Sequence, residues 1–385
     1  MTDRARALVP LLCATSALCL VTDFARAAAL EQVVPNTIRL LYQEGSYVEL
    51  GVTYTDPSQS GDGADLSAIG VPLSFPGNTG DIFDASWHVS GAWKADINDR
   101  LSYAILFDQP LAAHTFYGAG SFPGGAPPTG FTYQGSYADV TTYQISAVLA
   151  YDVRPDVKLF GGLRGQRLDA SAGIPLFQGY DVRADAEWGL GFLAGAAYER
   201  PDIALRVALT YYSKISYDLD TTERTLAGTT NTTTDVDTPQ SVALDFQTGV
   251  APKTLIFGSV RWVDWSEFSI EPPVYAELTQ AITGAPRPLV EYADDWWTYS
   301  LGMGHQFTDT LAGSLSVTYE PDVGGVMTTL GPYDGRTLAT AALSYDLGRA
   351  NVTGGVTYGR LGDTTNLLAT DFDDGSVWGA GVRVG

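Results

Sequence analysis

The fold class this chain predicts is all-β, a transmembrane antiparallel β-barrel of about fourteen strands, and three observations carry it. Segments of roughly ten residues alternate apolar and polar side chains, the length a tilted strand needs to cross a bilayer. Tight turns and long loops alternate strictly between those segments. Mean hydropathy is only +0.01 although charged residues are no more than 17% of the chain, as expected where alternation hides the apolar face from any average. Soluble antiparallel sheets alternate too, so recurrence along all 385 residues is what discriminates.

The N-terminus comes first. Arg4 and Arg6 precede an apolar run from Ala7 to Val21, and Ala25-Arg26-Ala27 supplies the small residues of a signal-peptidase site. Residues 1–27 are therefore expected to be a signal peptide, which removes both cysteines, Cys13 and Cys19. A chain left without thiols suits export. No later apolar run is long enough for a helical span. Residues 28–44 lack turn punctuation and read as a short N-terminal plug or hatch remnant, with the barrel occupying 45–385.

Each strand then follows from its alternation. Gly45 to Thr55 sets Val48, Leu50, Val52 and Tyr54 against Tyr47, Glu49, Gly51 and Thr53, and a Gly, Ser, Asp and Pro-rich loop is expected up to Asp81. Asp84 to Ile97 turns at Asn98-Asp99-Arg100 into Leu101 to Asp108. Beyond an unusually apolar segment, Gln109 to Ala138, come Val140 to Asp152, the turn Arg154-Pro155-Asp156, and Val157 to Arg167. Ala184 to Glu199 and Ile203 to Tyr217 flank Arg200-Pro201-Asp202, and a Thr and Asp-rich loop is expected from Asp218 to Asp237. Gln240 to Val250 and Thr254 to Phe268 join at Ala251-Pro252-Lys253, and an insertion runs from Ser269 to Ala293. The hairpin Asp294 to Pro321 shows the pattern best. Trp297, Tyr299, Leu301, Met303 and Phe307 oppose Trp296, Thr298, Ser300 and Gln306; after the reversal Thr308-Asp309-Thr310, Leu311, Leu315, Val317 and Tyr319 oppose Ser314, Ser316, Thr318 and Glu320. Gly302 and Gly304 read as a thin place in the wall. Arg336 to Leu347, Asn351 to Leu361 and Gly375 to Val384 complete the count.

Short turns on the periplasmic side and long loops outside are the habit of barrels in the outer membrane of Gram-negative bacteria. Tyr143 and Tyr151 on one apolar face suit the two aromatic girdles, and the sheet must close because lipid leaves no edge unpaired. The net charge of −22 excludes nucleic acid as a partner, and no acidic spacing specifies a metal.

Four segments, Phe107-Asp108-Gln109-Pro110, Gly249-Val250-Ala251-Pro252-Lys253, Val260-Arg261-Trp262-Val263-Asp264-Trp265-Ser266, and the tract from Tyr292 through Trp297 to Pro321, occur in an order that resembles the outer-membrane long-chain fatty-acid and hydrocarbon transporters of the FadL/TodX type. The resemblance implies a monomeric fourteen-stranded barrel with an N-terminal hatch, set among outer-membrane lipid and lipopolysaccharide. It also implies uptake of hydrophobic molecules, long-chain fatty acids first, captured at the loops and released sideways near the third strand. The Asn-Pro-Ala element of that family's hatch is missing, and the sequence finishes on Arg383-Val384-Gly385 rather than an aromatic residue.

Candidate ligand-binding residues fall in two groups. A carboxylate in the lumen needs a cation, and facing alone nominates Arg164, Arg206, Lys214 and Arg261. The alternative for each is a lumen ion pair that braces the barrel. In the apolar loop, Leu111, Phe116, Tyr117, Phe122 and Phe131 form either a first capture groove or a fold-back over the barrel mouth. A porin-like channel for small solutes is the runner-up function and an outer-membrane hydrolase a distant third. His88, His114 and His305 have no serine, cysteine or carboxylate pattern beside them, no phosphate loop or HExxH is present, and no enzyme activity or cofactor is expected.

Overall fold

The computed structural model describes residues 30–31, 37–65, 67, 74–118 and 134–385. The expected signal peptide, Phe122 and Phe131 lie outside the described residues. In chain order the elements are helix α1 (Thr37–Leu41) and strands β1 (Tyr47–Asp65), β2 (Ser74–Asn78), β3 (Ser86–Asn98), β4 (Leu101–Asp108), β5 (Ala112–Phe116), β6 (Tyr137–Arg154), β7 (Val157–Ile174), β8 (Tyr180–Arg200), β9 (Leu205–Tyr212), β10 (Ile215–Thr225), β11 (Gly228–Thr238), β12 (Ser241–Ala251) and β13 (Thr254–Val263). These are followed by β14 (Ser269–Ile270), α2 (Pro273–Thr283), β15 (Val290–Glu291), β16 (Trp296–Gln306), β17 (Leu311–Glu320), β18 (Val326–Met327), β19 (Arg336–Asp346), β20 (Asn351–Leu361), β21 (Thr364–Asn366) and β22 (Asp371–Val384).

Fourteen staves make a closed antiparallel barrel, the third, seventh and eighth each consisting of two strands: β4 with β5, β9 with β10, β11 with β12. Closure is made by β1 against β22, from Leu50 opposite Val384 to Asp62 opposite Asp371. The burial pattern is inside out relative to a soluble sheet. On β16, Trp297, Tyr299, Leu301 and Met303 are exposed while Trp296, Thr298, Ser300 and Gln306 are buried; on β17, Leu315, Val317 and Tyr319 are exposed while Ser316, Thr318 and Glu320 are buried. An apolar face that water cannot explain is a face for lipid. Tyr143 and Tyr151 are likewise exposed on the outer face of β6.

Several staves outrun their expected limits. The stretch Asp218 to Asp237, expected as a loop, is β10 paired with β11 from Ile215 opposite Thr238 to Thr225 opposite Gly228. Its Thr and Asp content suits a two-sided hairpin standing above the membrane, where the outer face meets water. β1 runs to Asp65, β7 to Ile174, and β8 begins at Tyr180, so the loops around them are shorter than expected. The insertion after β13 carries α2. Gly302 does not thin the wall: a Cβ there would stand 2.4 Å from the ring of Phe257, which fills the space.

The interior is layered. At the periplasmic end Ile38, Leu40 and Leu41 of α1 pack on Leu106, Val148, Phe160 and Leu193 from the inner wall. Arg39 of α1 is paired with Glu49 of β1, the Arg206 guanidinium lies 4.3 Å from the Tyr42 ring centre, and Lys94 Nζ donates to the Gln43 carbonyl at 2.7 Å. Above this comes a polar layer, and above that a second apolar cluster beneath the extracellular loops.

Candidate hydrophobic ligand site

The upper cluster encloses two adjoining cavities. One, of about 70 Å³, is lined by inner-face residues of the protruding staves, among them Val140, Leu168, Val182, Leu219 and Val236, and is roofed by Phe268, Ile270, Leu289 and Val290. Among the described residues no charged side chain lines it. The other, of about 130 Å³, is bounded by Phe83, Ala113, Tyr292, Tyr333 and Leu338, with Glu31, Asp84, His114 and Arg336 on its polar side. Leu30 and Leu330 belong to both linings. A row of rings runs over them, Phe268 to Trp265 at 5.1 Å, Trp265 to Tyr292 at 5.0 Å, Tyr292 to Trp296 at 6.1 Å, Trp296 to Tyr333 at 5.8 Å and Tyr333 to Phe83 at 6.5 Å. Burial pushes the Tyr292 and Tyr333 phenols well above their ordinary value, so both stay neutral and present apolar rings.

The roof is held by one buried carboxylate. Glu223, on the inner face of β10, accepts the Tyr180 hydroxyl at 2.7 Å, the Thr232 hydroxyl at 2.7 Å, and the backbone N–H groups of Val274 and Tyr275 at 3.1 Å each. Those two N–H groups belong to the first turn of α2, whose donors have no partner within the helix. A negative charge there also complements the helix dipole. Pro272 and Pro273 fix the entry of the chain into α2, and Tyr275 then packs on Phe177 and Tyr180 at 5.7 and 5.0 Å.

The wall beside the larger cavity is parted. β3 pairs with β4 up to Gly91 opposite Phe107, and the two staves meet again only at the bridge of Phe83 with Thr115. Residues 84–90 and 108–114 between those pairs form no ladder with each other, apart from the Asp84 N–H donated to the His114 carbonyl at 3.0 Å. The break falls at Gln109-Pro110, where proline removes a donor; the Gln109 side chain accepts the Val89 N–H at 2.9 Å in place of a strand bond. Past the break Leu111 turns inward, exchanging hydrogen bonds with Thr142 at 2.8 and 3.1 Å and bridging Glu31.

The family model of the outer membrane protein transport proteins (OMPP1/FadL/TodX) matches residues 25–358. The chain belongs to this family. Solved structures similar to this FadL/TodX-type barrel include a Pseudomonas aeruginosa FadL homologue (TM-score 0.71, 14% identity, 96% of this chain and 97% of that one) and the Pseudomonas putida toluene transporter TodX (0.63, 11%, 94% and 96%). The Ralstonia pickettii toluene transporter TbuX is similar too (0.60, 12%, 93% and 95%). No curated protein matches the sequence. The protein is thus an outer-membrane barrel of a family that transports hydrophobic compounds and is not a family of enzymes.

Within this FadL/TodX-type frame the nominated residues separate. Arg261 is buried and forms an ion pair with Glu31, Nη2 to Oε1 at 2.7 Å, with Ser241 Oγ at 3.1 Å. Arg164 is buried and donates to Gln144 Oε1 at 2.9 and 3.2 Å and to the Ser213 carbonyl at 3.2 Å. Arg206 lies at the periplasmic end, 3.2 Å from Glu199. Lys214 does not face the lumen. Tyr212 and Ser213 both point inward at the break between β9 and β10, which shifts the alternation by one and turns Lys214 out, 60% exposed and 2.5 Å from Asp237. Among the loop residues, Leu111 lines the smaller cavity, Tyr117 is buried with its hydroxyl on the Thr329 carbonyl at 2.5 Å, and Phe116 is exposed on the outer face of β5. Facing arguments missed Leu168, Val182, Leu219, Glu223 and Val236. The signal was present in Ile215-Ser216-Tyr217-Asp218-Leu219-Asp220, whose strict alternation outweighs its loop-like composition.

Proposed function

We propose that this protein takes up ring-sized, uncharged hydrocarbons across the outer membrane, holding them under the extracellular roof and releasing them sideways at the parting beside Gln109-Pro110. The observation that carries this reading is the size and chemistry of the two cavities. An apolar cavity of about 150 Å³ in an engineered protein binds benzene. The larger cavity here is of similar size, about 130 Å³, and the smaller, about 70 Å³, gives room for an alkyl substituent in a lining without charge. Leu111 forms part of that path, and α1 with Glu31 acts as a plug beneath it. The names of the similar TodX and TbuX structures, toluene transporters, agree with this class of cargo.

Long-chain fatty acids are the second reading, and Arg336 on the polar side of the larger cavity is what favours them. Its guanidinium Nε already lies 2.7 Å from Glu320 Oε2, and Arg164, Arg206 and Arg261 have the partners described above, so a carboxylate would have to compete for a cation. Uptake of [14C]toluene and [14C]palmitate by intact Gram-negative cells producing the protein decides between the two. Faster toluene entry is expected, whereas entry of palmitate alone would sink the hydrocarbon reading. Planar-bilayer conductance addresses the porin alternative: the layered interior predicts no steady current, and a large one would refute a plugged transporter.

A further inference from the structure

The two cavities adjoin, yet they share little of their lining. Among the described residues Leu30 and Leu330 are the two that border both. Elsewhere the chain itself crosses the boundary: Leu111 lines the smaller cavity and Ala112 the larger, and Val290 lines the smaller and Tyr292 the larger. Backbone held in hydrogen bonds cannot give way without losing them, whereas a leucine passes between staggered rotamers and gives up none. The described boundary thus has one yielding place, where Leu30 and Leu330 stand.

Both leucines are fixed at the backbone. The Leu30 carbonyl accepts the Ala112 N–H at 3.0 Å, and Glu31 beside it bridges Leu111 and is paired with Arg261. Leu330 lies in the turn after β18 and is buried in the upper cluster. Its carbonyl accepts the Thr115 hydroxyl at 2.8 Å, and the neighbouring Thr329 carbonyl accepts the Tyr117 hydroxyl at 2.5 Å. From the other side the Thr328 hydroxyl accepts the Leu330 N–H at 3.3 Å and donates to the Leu289 carbonyl, in the roof, at 3.4 Å. The anchors Ala112, Thr115 and Tyr117 lie on β5 or directly after it, so one stave sets the spacing of the two leucine backbones. What remains adjustable is the pair of side chains.

The sizes of the cavities say what would pass. At about 70 Å³ the smaller is about half the size of an apolar cavity that holds benzene, so a ring stays in the larger one and a side chain alone crosses. We propose that Leu30 and Leu330 form the gate between the two cavities and set the shape of alkyl substituent the protein accepts. An unbranched chain threads between the leucines into the smaller cavity, whereas a branch on the carbon next to the ring is turned away. The inference rests on the hydrocarbon-uptake reading and narrows its cargo to rings that are bare or carry an unbranched side chain.

n-Butylbenzene and tert-butylbenzene test it, as unlabelled competitors of [14C]toluene uptake by intact cells producing the protein. They are isomers with the same number of carbons, so they partition into the membrane alike and differ in shape. In the native protein n-butylbenzene should compete at a concentration about tenfold lower than tert-butylbenzene, the discrimination a hydrophobic pocket achieves over a single misplaced carbon. Leu330→Ala and Leu30→Ala, each shortening its side chain to a methyl group, should cut that preference to about threefold or less. The two changes fall on separate segments, so misfolding of one variant leaves the other to be read, and the heat-dependent migration of a folded barrel in gel electrophoresis shows which is intact. Absence of any isomer preference in the native protein, a preference that a folded variant keeps, or loss of toluene entry in both variants overturns the gate while native toluene uptake stands. Native cells that take up no toluene would overturn the uptake reading itself, and the gate with it.

Discussion

Replacing Glu223 with glutamine should release the roof of the cavity while leaving the barrel intact. The native carboxylate accepts four hydrogen bonds, from Tyr180 Oη, Thr232 Oγ1, and the N–H groups of Val274 and Tyr275. Glutamine keeps one acceptor oxygen and presents an NH2 group to the donors that the other oxygen served. Hydrogen bonds to a charged acceptor contribute about 1.5–3 kcal/mol each, and the helix dipole adds up to about 1 kcal/mol, so losing half of the set should cost about 3 kcal/mol after relaxation. At about 1.4 kcal/mol per tenfold, that is roughly a hundredfold rise in the open population of α2 and its flanks. Amide hydrogen exchange over residues 274–283, with chymotrypsin cleavage at Tyr275 as a second readout, measures that opening. Wall strands such as β16 should keep their protection. If exchange in α2 is the same in Glu223→Gln as in the native protein, the carboxylate does not hold the roof and the account of the site is wrong.

Arg261→Ala strands the Glu31 carboxylate in a buried setting and should loosen the N-terminal segment by about 3–5 kcal/mol, seen as proteolysis near residue 31; Glu31→Leu with Arg261→Met should cost less than the single change. Leu168→Glu places a charge in a cavity whose described lining carries none and should abolish hydrocarbon uptake without changing the amount of barrel in the membrane. For Asp295, burial works to raise the carboxyl, but bonds from Ser266 and Trp262 outweigh it, so its folded value lies below the ordinary 3.8. A depressed carboxyl stabilises the loop at every pH above its unfolded value and loses that contribution only as pH falls through the folded value. Hydrogen-exchange protection of residues 264–295, corrected for intrinsic rates, should therefore be flat down to about pH 5 and fall in stronger acid, while Asp295→Asn should lower it even at neutral pH.

The barrel was legible because lipid and lumen impose opposite chemistry on neighbouring residues, so Trp297 to Met303 could be assigned to a face without knowing any contact. Alternation also located most of the periplasmic turns. It failed where the rule it depends on changes. Above the membrane the outer face meets water, and Asp218, Asp220 and Asp235 replace leucines there, which made β10 and β11 look like a loop. At Tyr212-Ser213 a single extra inward residue reverses every later assignment on that stave, which is how Lys214 came to be placed in the lumen. Arg164 and Arg261 were assigned to the correct side, but their partners come from distant segments: Glu31 is 230 residues from Arg261. Facing can say that a cation needs company inside a barrel; it has no means of saying which acid arrives. Glu223 was beyond reach for the same reason, since its role exists only once α2 has folded over it.

On the uptake reading proposed above, the layering of the interior favours an exit through the wall. A ring with about 150 Å² of apolar surface gains about 4 kcal/mol on leaving water for an apolar cavity, close to a thousandfold in occupancy. Directly below the cavities the lumen is crossed by Arg164 with Gln144 and Gln166, by Arg261 with Glu31, and by Glu320 with Arg336. A hydrocarbon entering that layer would give up its apolar surroundings and also separate buried charges from their partners, each a loss of several kcal/mol. Beyond the layer, α1 packs on Leu106 and Phe160 at the periplasmic end. A sideways exit past Val89, exposed on the outer face of β3, would involve neither loss, because the bilayer there is apolar. On the proposed uptake reading the axial route is uphill and the lateral one nearly level, so the ion pairs that brace the barrel would also direct a hydrocarbon into the membrane.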